Sequence, residues 1–318
     1  MTFKTAAFAT VSALALAGPL SAQDLQEIRM GYIADYWGTS IAAIATDQGM
    51  WEEHGLDADL KVFTNGPIQV QALNAGSLDF AYIVPGALWL PASGQTKVIA
   101  PNAFGYSDRV IAQEGIETVA DLAGKRVGVP EGTSGDMLLR LALAEQDLGL
   151  DAIEFISMDP STIVTAFASG QIDAAGIWYP FVDVIGRRVP GMVELASNED
   201  FFPDIAFPSS FIVSDDMADE EETIRRVVAV IKQANDFRLN NPDEAVSITA
   251  EFLNVPEEPL RAESTMARMP TAAEFEELTR GGEVGNWFDT LADLYVDFGK
   301  IEDPLPASDF YLGKLYAE

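Results

Sequence analysis

Asp121-Leu122-Ala123-Gly124-Lys125-Arg126-Val127-Gly128-Val129-Pro130-Glu131-Gly132-Thr133-Ser134 is the stretch on which the fold is decided. It opens with a helical turn over 118–122 and continues as an apolar strand over 124–130, which Pro130 brings to a sharp stop. Gly132-Thr133-Ser134-Gly135 then opens a helix expected to run to Leu148. Strand, glycine-rich turn and helix in that order form the unit of a mainly parallel sheet covered by helices.

The same order recurs on both sides of this stretch. Upstream, strands at 28–32, 58–63 and 78–84 alternate with helices at 39–51 and 68–75, the second closed by Gly76. A strand at 109–112 precedes the stretch, and a strand at 154–157, a helix at 161–169 closed by Gly170 and a strand at 174–178 follow it. The chain returns through a strand at 211–214 and becomes helical. Residues 220–239 are amphipathic, with acids in the first turn and basic residues later, as the helix dipole favours. The aromatic residues of 287–316 recur at helical intervals and are assigned to packing.

The amino terminus reads as an export signal. Lys4 is followed by an apolar stretch over 6–17, with Leu20-Ser21-Ala22 as the cleavage site, so 1–22 is a signal peptide and the mature chain starts near Gln23. The apolar run falls short of the roughly 20 residues that span a bilayer. There is no cysteine, hence no disulfide and no site for a lipid anchor. At 318 residues the chain exceeds a typical domain, so two domains are expected. A net charge of −31, from 50 acidic and 19 basic residues spread along the chain, excludes nucleic acid and anionic membranes as partners. His54 is the single histidine, and no nucleophile–base pair, metal cluster or phosphate loop can be assembled, so neither enzyme activity nor a cofactor is expected.

Four motifs in order carry a family resemblance: Gln71-Ala72-Leu73-Asn74-Ala75-Gly76-Ser77-Leu78-Asp79-Phe80, the stretch 121–134, Gly170-Gln171-Ile172-Asp173-Ala174, and Ile177-Trp178-Tyr179-Pro180-Phe181. Together they resemble the periplasmic binding proteins for nitrate, taurine, aliphatic sulfonates and related compounds. The resemblance implies an α/β fold of two lobes joined by two crossing strands, the type II flytrap, with ligand in the cleft. Residues 24–107 and 208–318 would form lobe 1, and 108–207 lobe 2. It also implies a monomer, free in the periplasm, that delivers a small molecule to the permease and ATPase of an ABC importer. Taurine or another small sulfonate is the first expectation; nitrate or a pyrimidine precursor is the alternative, and a pyrimidine-forming enzyme on the same fold a distant one.

In open α/β sheets ligands sit beyond the carboxyl ends of the strands, so the loops there supply the candidates. Thr133 and Ser134 bring hydroxyls, close-approaching amides and a helix dipole to one point, an anion cradle without a basic side chain; a plainly capped helix start is the alternative. Asp35, Tyr36 and Trp37 stand at the matching place in lobe 1, and Val84, Pro85 and Gly86 at the end of another strand there, with amides of Val84, Gly86 and Ala87 available. For Trp178 and Tyr179 the resemblance implies a ring against the ligand, over an alkyl segment or a cation. Ser107, Asp108 and Arg109 at the first crossing and 207–210, Ser209 among them, at the second are the remaining candidates, which hinge geometry alone could also explain. The resemblance implies that taurine binders carry an acid where this chain has Ser209, so an ammonium group would be met by Asp35, Asp108 or Asp204, or by the aromatic set Tyr36, Trp37, Trp178 and Tyr179, unless the solute lacks one.

Overall fold

The computed structural model describes residues 25–201 and 205–318. The expected signal peptide, 1–22, and Asp204 lie outside them. Among the described residues eleven strands form two sheets. The first contains β1 (Gln26–Ile33), β2 (Leu56–Phe63), β3 (Phe80–Ile83), β4 (Lys97–Gly105), β10 (Pro208–Val213) and β11 (Ala267–Arg268), in the order β11-β4-β10-β3-β1-β2. The second contains β5 (Asp108–Ala112), β6 (Arg126–Val129), β7 (Glu154–Ser157), β8 (Ala174–Trp178) and β9 (Val193–Ser197), in the order β7-β6-β8-β5-β9.

Each sheet has a parallel trio and an antiparallel return. β1 runs parallel to β2 and β3, and β6 runs parallel to β7 and β8. The chain leaves the first sheet through β4 and enters the second at β5, antiparallel to β8 and β9; it comes back as β10, antiparallel to β3 and β4. β3 and β10 are buried throughout, as strands with covered faces must be.

Local chemistry moves several boundaries. The first helix begins at Tyr36 rather than 39, because the Asp35 carboxylate caps it by accepting the Gly38 amide at 2.6 Å. Gly49, at φ +67°, then breaks the expected 39–51 helix into Tyr36–Asp47 and Met50–Glu53. The helix opened by Ser134 ends at Ala144, not Leu148, and Asp147 beyond it takes φ +54°. The returning strand starts at Pro208, earlier than 211.

The lobes touch. One apolar cluster runs from Ile28, Phe80 and Phe211 of the first sheet to Val110, Val127 and Leu138 of the second lobe. Tyr295, from the helix Glu283–Asp297, donates its hydroxyl to the Pro85 carbonyl and lies against Met137 of the helix Ser134–Ala144. Lys300 reaches the same helix, 2.9 Å from Glu131 and 3.3 Å from Asp136. At Gly86 a β-carbon would lie 1.8 Å from the Thr133 carbonyl carbon and 1.9 Å from the Ser134 nitrogen, so only glycine permits this approach.

Candidate functional site

Between the sheets lies a small cavity lined by Asp35, Trp37, Tyr82, Val84, Pro85, Gly105, Ser107, Asp108, Ser134, Trp178 and Ser209. Its volume is about 20 Å³, room for roughly one water-sized group, so an organic solute requires the lobes to stand further apart.

One wall comes from the first sheet. Asp35 and Trp37 sit where β1 turns into its helix, and Tyr82 of β3 and Val84 just beyond its end line the same wall. Ser209 donates to the Ala103 carbonyl at 3.1 Å and accepts from Asn102 at 3.3 Å. Asn102 also donates to the Trp37 carbonyl and accepts from Arg238, whose guanidinium further donates to Ser40 and Asn235. A buried cation thus stiffens this wall from behind without reaching the cavity. Trp37 Nε1 and the Tyr82 hydroxyl are buried with no hydrogen-bond partner among the described residues. Such orphans cost free energy until something satisfies them.

The other wall comes from the crossing and the second sheet. β5 and β8 are in register with Asp108 opposite Trp178, so the carboxylate and the indole arrive together. Asn198 holds the Asp108 amide at 2.8 Å, and the Ser134 hydroxyl donates to the Asp108 carboxylate.

Two carboxylates therefore share the cavity, and among its described lining residues none is lysine or arginine. Burial pushes Asp35 up to about 7, against the Gly38 amide that favours its charge, and Asp108 adds like-charge repulsion. Burial likewise pushes Asp108 up to about 6, against the Ser134 hydroxyl and the Arg109 charge. Glu263 lies behind them, accepting the Tyr36 amide at 3.1 Å, and burial with the charges of Asp35 and Asp108 drives it well above the usual carboxylate range.

The remaining expected residues point elsewhere. Tyr36 is buried edge-on against Trp37, outside the lining. Gly86 serves the lobe contact. Arg109 turns to the rim, bonding Glu194 at 2.8 Å and stacking over Tyr179 at 5.5 Å, while the Tyr179 hydroxyl joins Glu194. Thr133 donates to the Pro130 carbonyl at 2.6 Å and neither lines the cavity nor caps the helix with its side chain. The Ala87 amide is taken by the Val84 carbonyl. Both hydroxyls of the supposed anion cradle are thus engaged inside the protein. Tyr82 and Gly105 are lining residues that the sequence reading passed over; strand alternation from Val84 marks Tyr82, and no local signal marks Gly105.

A family model described as NMT1/THI5-like matches residues 39–245. A protein of Brucella abortus (strain 2308), named only as a binding protein, is 59% identical over 290 residues, 91% of each chain. The taurine-binding periplasmic protein of Escherichia coli K12 is 26% identical over 223 residues, 66% of this chain and 68% of its own. Among solved structures, the alkanesulfonate-binding protein SsuA from Xanthomonas axonopodis pv. citri, bound to MOPS, is similar in fold with a TM-score of 0.74 at 21% identity, covering 91% of this chain and 98% of that one.

Proposed function

This chain belongs to the NMT1/THI5-like family, and from that premise we propose that it is the periplasmic solute-binding component of an ABC importer. It captures a small organosulfonate, taurine or a close analogue, between lobes formed by 24–107 with 208–318 and by 108–207. It is exported by cleavage of 1–22, acts as a monomer, and hands its solute to the importer's permease and ATPase.

The observation that carries this reading is a closed interlobe cavity whose wall holds buried polar groups with no partner among the described residues, Trp37 Nε1 and the Tyr82 hydroxyl. An indole N–H can only donate, so it asks for an acceptor such as a sulfonate oxygen. These donors take over the role expected of Thr133, whose hydroxyl is already engaged. Trp178 covers the short alkyl segment. Binding rather than chemistry also fits the relatives, all of which are named for binding.

The test is thermal unfolding and small-angle scattering of the mature chain with taurine. At about 100 times its dissociation constant the solute should add about 2.7 kcal/mol of stability, and the radius of gyration should fall. A screen of sulfonates, nitrate and pyrimidines in which no solute changes stability or radius would refute the reading.

A further inference from the structure

We infer that the cleft is built for a solute carrying a protonated nitrogen, held between Asp35 of the first lobe and Asp108 of the second, and that this cation is what lets the lobes close. The inference rests on the solute-binding reading and adds which end of the solute is indispensable.

Asp35 and Asp108 are 3% and 5% exposed and line the same cavity from opposite sheets. Among the described residues no positive group occupies the space between them. Arg109 faces the rim, where its guanidinium is engaged by Glu194 and by the carbonyls of Tyr106 and Asp108. Arg238 stays behind the wall on Ser40, Asn102 and Asn235. The other ionisable groups near the pair are Glu263, which adds no positive charge, and the neutral Tyr82 phenol. Closure of the empty protein therefore presses two like charges into a space of about 20 Å³. Burial in that space shifts both groups toward neutrality, and at Asp35 the charge of Asp108 adds to it. A cation placed between them turns that repulsion into two attractions, one to each lobe.

Two further features point to a ligand rather than to an accidental acidic cluster. Trp37, Tyr82 and Trp178 line the same space, and aromatic rings of this kind can receive a cation. The unpartnered Trp37 Nε1, on a side chain 3% exposed, calls for an acceptor on the same molecule. A solute with a nitrogen cation at one end and an oxygen acceptor at the other satisfies all of these groups together.

The experiment uses the full mature chain with taurine, isethionate and ethanolamine, which carry respectively both ends, only the sulfonate, and only the ammonium. Calorimetry should give taurine at least about tenfold tighter than isethionate, with ethanolamine binding measurably. The same comparison between amines and their hydroxyl analogues extends to putrescine and choline. Taurine affinity should rise as pH goes from 5.5 to 7.5, because the two carboxylates ionise over that range. Asp35→Asn, which keeps the helix cap, and Asp108→Asn should each narrow the taurine-to-isethionate ratio. Asp108→Asn should also make the ligand-free protein more compact by scattering, a readout that needs no ligand. Isethionate binding as tightly as taurine, or oxyanions binding while every amine stays silent, would overturn the inference and leave the solute-binding reading standing. So would a ligand-free Asp108→Asn protein with unchanged radius. If no solute of any charge binds, the solute-binding reading fails and the inference falls with it.

Discussion

The two lobes are built on the same clamp and differ at the mouth. In lobe 1, Arg29 at the start of the central strand grips Asp79 at 2.5–3.0 Å with its guanidinium, and the Arg29 and Asp79 amides bond across to the partner's carboxylate and carbonyl. In lobe 2, Arg126 grips Asp173 through the same atoms, at 2.7–2.9 Å. Each arginine also reaches the carbonyl of a glycine at the preceding helix end, Gly76 at φ +67° and Gly170 at φ +70°. The clamp closes each strand–helix–strand unit at the end away from the cavity.

At the opposite end the likeness stops. In lobe 1 the helix after the central strand is capped by a carboxylate that faces the cavity, Asp35. In lobe 2 the equivalent helix has no side-chain cap, and its first residue, Ser134, gives its hydroxyl to a carboxylate from the crossing strand. The repeated half of each lobe is a structural clamp, and the divergent half faces the cavity.

The comparison can be broken where the divergent ends meet. Gly86→Ala should leave each lobe folded but stop them closing, since its methyl would fall on the Thr133 backbone. Taurine affinity should drop at least about a hundredfold while the melting temperature of the ligand-free protein barely moves. Calorimetry beside thermal unfolding checks both halves.

A pH series separates the mouth from the clamp. Asp35 and Asp108 are pushed up to about 7 and about 6, so the native state keeps protons that the unfolded chain releases near pH 4. Their contribution is fully present below about pH 4 and is lost as pH rises through 6 and 7. Asp173 of the clamp is shifted the opposite way, downward by Arg126, and matters only in stronger acid. Urea unfolding without ligand should show stability falling by about 2 kcal/mol between pH 5 and 7.5, less so in Asp35→Asn. A flat profile would remove the claim that the mouth carries like charges.

The clamps themselves should be near-equal. Asp79→Ala and Asp173→Ala each remove the same set of bonds, and because the arginines are 40% and 39% exposed each change should cost only about 1–2 kcal/mol. Denaturant unfolding in which one lobe's variant costs several times the other's would mean that the repeated geometry hides unequal roles.

The smallest effect is expected at Thr133. Thr133→Ala should lower stability by about 1 kcal/mol through the lost bond to Pro130 and leave taurine affinity within about twofold. A tenfold loss of affinity in calorimetry would return the anion cradle to the helix start.

Much of the candidate site was legible. Asp35, Trp37, Val84, Pro85, Asp108, Ser134, Trp178 and Ser209 stand at strand ends that the sequence marks with glycine, proline and helix-start residues, and all line the cavity. The excess was avoidable in part. Neighbours along a strand face opposite ways, so Asp108 with Arg109 could not both enter one cavity. The same alternation would have added Tyr82 to Val84.

By itself the sequence determined what short-range physics determines: the order of strands and helices, their caps and breaks, and the strand ends where a ligand could sit. Glycine conformations, proline stops and apolar spacing act over a few residues and need no partner to be read. Only the tertiary structure decided that two carboxylates, 73 positions apart as Asp35 and Asp108, line one cavity with no lysine or arginine among its described lining residues. It also decided that Thr133 and Ser134, adjacent in the chain, are taken up by different partners, Pro130 and Asp108. The registers that set Asp108 opposite Trp178 and Phe211 opposite Tyr82 are fixed by pairing between strands far apart in sequence. Burial, which turns ordinary aspartates into a poised pair, exists only once both lobes are in place.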